Sequence, residues 1–89
     1  MIMKNRLWDE KTQKAIDEMK TMIQAAYPEA SFRAYPGEDP AGVYLNAYTS
    51  AEDDFLVLDL ISERLVDLHI DEGVRLYVIP LSITTVASS

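Results

Sequence analysis

Two short alternating segments meet at a loop rich in proline and glycine, and that hairpin limits what the rest of the chain can become. Ala30, Phe32 and Ala34 alternate with Ser31, Arg33 and Tyr35 over residues 30–35. Val43, Leu45 and Ala47 alternate with Tyr44, Asn46 and Tyr48 over residues 43–49. A period of two puts alternate side chains on opposite faces of a strand. Between them runs Pro36-Gly37-Glu38-Asp39-Pro40-Ala41-Gly42, whose two prolines and two glycines are a turn composition. The sequence therefore predicts a hairpin closed by a loop longer than the tightest turns.

Both flanks of the hairpin read as helix. Over residues 9–26, Trp8, Thr12, Ala15, Met19, Met22, Ile23 and Ala26 recur at three- and four-residue spacing, one stripe of a 3.6-residue period. Asp9 suits the cap, Glu10 precedes Lys14 in the favourable order for an exposed pair, and Tyr27-Pro28 ends the segment. After the hairpin, Ser50 can cap free amides, and Glu52, Asp53 and Asp54 fit the first turn, where the helix dipole favours negative charge. Val57, Leu58, Ile61, Leu65 and Leu68 then share one narrow sector, while Leu56 and Leu60 fall on a mostly polar side. The run Phe55 to Ile61 also fits a buried strand, but its leucine content and the helical spacing out to Leu68 favour helix. Gly73 suits the helix end. Residues 74–79 form a third strand that stops near Pro80.

The expected fold is thus α+β, a two-layer sandwich in the order α-β-β-α-β. A three-stranded, mainly antiparallel sheet carries both helices on one face, with a right-handed crossover into the last strand. At 89 residues the chain supports one domain and buries only roughly 60–65% of its unfolded surface. The expected organisation is an N-terminal arm over 1–8, the domain over 9–80 and a tail over 81–89 that adds at most a short extra strand. The chain has no cysteine, which excludes a disulfide scaffold and a thiol nucleophile. Its longest apolar run, Phe55-Leu56-Val57-Leu58, is far too short to span a membrane. The first residues lack the apolar core of a signal peptide, so the expected location is the cytoplasm, with no membrane partner.

The formal charge of −7 is unevenly placed. Residues 1–24 are close to neutral, whereas residues 38–72 hold ten acids and a single base, Arg64. Nucleic-acid binders present basic surface to a polyanion, so nucleic acid is an unfavoured partner. The simplest reading of the acidic half is a solvated face that maintains solubility.

The alternation defines the surface to test. If Phe32, Val43, Leu45 and Ala47 face the helices, then Arg33, Tyr35, Tyr44, Asn46 and Tyr48 face away. The third strand adds either Arg75, Tyr77 and Ile79 or Leu76 and Val78, and the first set is favoured outward because it is led by a charge. Four of the five tyrosines then share one open face with two arginines. Tyrosine suits a half-exposed strand without any further role. Tyr and Arg are also enriched at interface hot spots, and symmetric dimers are the commonest oligomers. A third possibility is base stacking on a sheet platform. Leu56 and Leu60, if exposed, form a secondary apolar patch.

No catalytic constellation is visible. His69 lies between Asp67 and Asp71, but positions two apart do not share a helix face, so this trio reads as surface charge partners and not as a metal site. Glu52-Asp53-Asp54 lacks the spacing of a calcium loop. The serines have no base other than His69, and no G-x-S-x-G elbow frames one. Gly37 and Gly42 bracket an acidic loop that would repel phosphate. No cofactor and no metal are expected, and the chain reads as a non-enzyme, the less favoured alternative being a small enzyme or metal-binding protein built around His69.

The α-β-β-α-β order and the size resemble BolA-like and type II KH-like small domains. The lone His69 ahead of the last strand is similar in placement to the histidine of BolA-like proteins, whereas the G-x-x-G clamp of KH domains has no counterpart here. That resemblance implies a nucleic-acid or regulatory binding domain using the open face. The residues themselves favour a protein–protein interaction module, binding either a second copy of itself or a protein with a basic surface.

Overall fold

The computed structural model describes residues 8–38 and 41–83. The element order is α1 (Glu10–Ala26), β1 (Ser31–Glu38), β2 (Ala41–Thr49), α2 (Asp54–Asp71) and β3 (Leu76–Ser82). The fold is α+β in the expected order. The sheet is mixed, with β2 in the centre, paired antiparallel to β1 and parallel to β3.

Each helix forms where its stripe and cap agree. The Asp9 carboxylate accepts from the Thr12 amide at 2.9 Å and from the Thr12 hydroxyl, satisfying a donor that the first helical turn leaves free. α1 then buries Thr12, Ala15, Ile16, Met19 and Ile23. Ile16 belongs to this set although the expected stripe passed over it, and Ala26 is exposed. The second cap differs from expectation. Asp53, not Ser50, caps α2 by accepting from the Phe55 amide. The Ser50 hydroxyl and amide instead donate to Glu29, which ties the loop before α2 to the loop after α1. Residues 55–61 are helix, and Val57, Ile61 and Leu68 are the buried positions of α2. Leu58 and Leu65, expected in the same sector, are only half-buried at its margin. Gly73 has φ +67°, the left-handed conformation that glycine adopts without a Cβ penalty, so the chain reverses there into β3.

Both helices pack on the sheet face formed by Val43, Leu45, Ala47 and Leu76, each wholly buried. Burying each of the valine and leucine side chains contributes about 1.5–3 kcal/mol, so this face is the main adhesive of the two layers. Trp8, placed in the arm by the sequence, packs against this core and donates to Gln13 at 3.0 Å. Residues 1–7 of the expected arm and 84–89 of the expected tail lie outside the described residues.

The strands are longer than the alternation implied. β1 continues through Pro36-Gly37-Glu38, β2 begins at Ala41, and β3 runs through Pro80 into Leu81 and Ser82, where a tail was expected. Hydrogen-bond parity explains how prolines are tolerated. Val43 donates to the Arg75 carbonyl at 2.9 Å, so the backbone groups of Val43 face β3. Strand alternation then turns Pro36 on β1 and Pro80 on β3 toward the two free edges of the sheet, where no partner needs the missing N–H. The expected wide loop is thus mostly strand.

Candidate interaction surface

The sheet face away from the helices carries the residues singled out from the sequence. Register places Arg33 opposite Asn46 and Tyr35 opposite Tyr44 on one side of β2, and Tyr44 opposite Tyr77 and Asn46 opposite Ile79 on the other. Leu76 is wholly buried toward the helices, which leaves Tyr77 and Ile79 on the open face; Arg75, of the same parity and exposed, precedes them.

Three tyrosines form a row across all three strands. The Tyr35 and Tyr44 rings are stacked with centroids 5.6 Å apart, and Tyr44 and Tyr77 are tilted at 5.2 Å. Spacings in this range are those at which ring quadrupoles attract. Two glycines make room for the row. A Cβ at Gly37 would overlap the Tyr44 ring, and one at Gly42 would lie 2.7 Å from both the Tyr77 ring and the Arg75 carbonyl oxygen. The rings therefore lean over glycine hollows on neighbouring strands, and these are hollows that nothing in a simple alternation reading reveals. The signal was available in the register: Gly37 and Gly42 face one another two residues along from the Tyr35–Tyr44 pair.

His69 extends the row. Its ring lies 5.7 Å from that of Tyr77, and Nε2 is 2.7 Å from the Leu76 carbonyl oxygen. A carbonyl only accepts, so Nε2 carries the proton and donates. Leu76 O points to the free edge of β3 by the same parity that exposes Pro80. His69 thus covers part of an unpaired edge, a different role from the expected surface pairing with Asp67 and Asp71. Together with Pro36 and Pro80 it blunts both edges against strand addition.

Tyr48 stands apart from the row. Asn46 Nδ2 donates to its hydroxyl at 3.4 Å, and it is paired in register with Leu81 at the opposite end of the face. There it joins Phe55, Leu58 and Ile79 in an open groove of about 890 Å³ between the start of α2 and the end of β3. Leu56 and Leu60 are exposed at 50% and 39%. Phe55, Val66 and Ile70 are exposed as well, which the sequence reading did not single out.

The charges are sorted in space. Among the residues sharing the open face by register, Arg33 and Arg75 are the only charged ones. The acids of residues 52–72 lie on α2 and its ends, in the other layer. Arg64, the only base of that stretch, is drawn to Glu18 of α1 by paired hydrogen bonds and lies 3.7 Å from Glu72. Those carboxylates, Glu18 foremost, hold its guanidinium above its ordinary value. The Glu29 carboxyl is held below the usual range by the hydroxyl and amide of Ser50.

Among the described residues no three His, Cys, Asp or Glu side chains converge as metal ligands would, and no helix is long and apolar enough to cross a membrane. No family model matches the chain, and neither a curated protein nor a solved structure is significantly similar to it.

Proposed function

We propose that this protein is a non-enzymatic protein–protein interaction module that pairs with a second copy of itself, open sheet face to open sheet face. The observation that carries the reading is the tyrosine row, three rings held at 5.6 and 5.2 Å on a sheet face that no described element covers. Preset rings lose little rotamer freedom on association and present large amphipathic area. A two-fold axis through such a face is self-complementary, and Arg33 and Arg75 can rest on aromatic faces of the partner copy. The blunted edges favour face pairing over strand addition. The proposed setting is the cytoplasm, with which the absence of cysteine is compatible.

Light scattering over a concentration series tests this. The expected result is a dimer mass in the wild type and a monomer mass in the Tyr44→Ser/Tyr77→Ser double variant, with unchanged far-ultraviolet circular dichroism. A wild type that stays monomeric throughout, or a folded double variant that keeps the dimer mass, overturns the reading.

One observation favours a second reading. Among the described residues the same face carries stacked rings, two arginines and no acid, which is the chemistry of a platform for single-stranded nucleic acid. Under that reading a labelled oligonucleotide is retained at low salt and released as salt rises. Absence of retention at low salt removes it.

A further inference from the structure

The outward side of α2 carries apolar residues that folding does not use. Phe55 and Ile70 are 75% exposed, and Leu56, Val66 and Leu60 follow. With successive residues a hundred degrees or so apart around a helix, Phe55, Val66 and Ile70 fall on the side away from buried Val57, Ile61 and Leu68, which Leu56 and Leu60 border on one flank. Asp59, Glu63 and Asp67 share that side at four-residue spacing, so neighbouring like charges repel along the helix. No described cation lies within ion-pair distance of these three; Arg64 is paired with Glu18 and Glu72 and attracts only Asp67 among them, at longer range. At the start of α2, Phe55 also lines the groove with Leu58, Glu52 and Asp54, where Tyr48 and Ile79 of the open sheet face form the other wall.

We propose that this face docks a basic amphipathic helix of a partner protein. The apolar residues of such a helix, at three- and four-residue spacing, meet Leu56 and Leu60, and its lysines or arginines meet the adjoining Asp59–Glu63–Asp67 ridge. Charge selects this occupant over the others. A neutral apolar partner would strand three carboxylates against it without counter-charges. A second copy applied to the same face would set one acidic ridge against another, and an anionic lipid surface would be repelled. Leu56, Leu60 and the acidic ridge lie on α2, in the other layer from the tyrosine row, so the proposal stands or falls separately from self-pairing.

The probe is a labelled synthetic helix of about five turns with leucine on one side and lysine on the other, set against a scrambled isomer of identical composition. Fluorescence anisotropy should show the amphipathic isomer binding the wild type roughly tenfold or more tightly than the scrambled one. The Leu56→Ser/Leu60→Ser variant changes only exposed side chains, so its fold is retained, and it should lose a similar factor. The Glu63→Gln/Asp67→Asn variant should bind more weakly and with a shallower salt dependence. Tyr44→Ser/Tyr77→Ser should bind as the wild type does. Equal binding of the two isomers reduces the effect to net charge and overturns the proposal. Wild-type affinity in Leu56→Ser/Leu60→Ser overturns it too. So does a change of solution mass in that variant without peptide binding, which would assign the face to self-association.

Discussion

α1 and α2 lie on the same sheet and are of similar length, yet they spend their residues differently. α1 buries five residues and turns lysines, acids and glutamines to water. α2 buries three and shows five large apolar side chains outward. The periodic stripe of α1 is accounted for by packing alone. In α2 the stripe is blurred, because apolar residues surround the helix on more than the core side. A helix that exposes phenylalanine, leucine and isoleucine beside three self-repelling acids is less favourable alone than one with a polar outer face. The difference points to a demand on α2 beyond holding the sheet.

The core sides of the two helices should be equivalent, and that is the largest effect. Ile16→Ala on α1 and Ile61→Ala on α2 each remove a side chain that is essentially inaccessible. Each should lower the unfolding free energy by about 2–5 kcal/mol in urea titration. A markedly smaller loss at Ile61 would break the comparison, since α2 would then not be anchored as α1 is.

The caps should come next, and unequally. Asp9 receives both the amide and the hydroxyl of Thr12, whereas Asp53 receives the Phe55 amide. Asp9→Ala should therefore lower the melting temperature more than Asp53→Ala does. The Thr12 amide, then its hydroxyl, hold the Asp9 carboxyl below its usual value. The folded chain thus takes up that proton less readily than the unfolded one. The stabilisation is complete above the ordinary carboxylate range, about pH 4, and disappears as pH falls through the lower folded-state value. Melting curves at descending pH should show Asp9→Ala losing less to acid than the wild type. An identical pH profile in both would show that the cap carries no such linkage.

The outward sides should give the smallest effect on stability. Leu56→Ser on α2 and Lys14→Ser on α1 both change exposed positions, and each should shift the unfolding free energy by about 0.5 kcal/mol or less. A loss of several kcal/mol at Leu56 would mean that α2 needs its outer face in order to fold, and the contrast between the helices would vanish.

Much of the site was readable in advance. Period-two alternation puts Tyr44 and Tyr48 on one face of their strand, and Tyr35 opposite Ala34 on its own, because strand geometry fixes alternate sides; that Tyr35 shares the face of the other two follows once the apolar sets of both strands face the helices. The outward placement of Leu56 and Leu60 follows equally from helical spacing. The capping of α2 was not readable, because Ser50 and Asp53 are both good caps and the choice fell to Glu29, which is distant in sequence. The extent of the strands was also hidden. Pro36 and Pro80 look like stops locally, and they fit within strands only because the sheet order leaves their N–H sides without a partner.

By itself the sequence determined the element types, their order, the open sheet face and the uneven distribution of charge. These follow from local periods, caps and counts. Only the tertiary structure decided that three tyrosines align into one row over two glycines. It also decided that His69 closes an edge beside them, and that the acids of residues 52–72 gather in the layer opposite the arginines. The physical reason is register. Which residues meet across strands, and which layer a charge joins, depends on pairings between distant segments that no local pattern encodes.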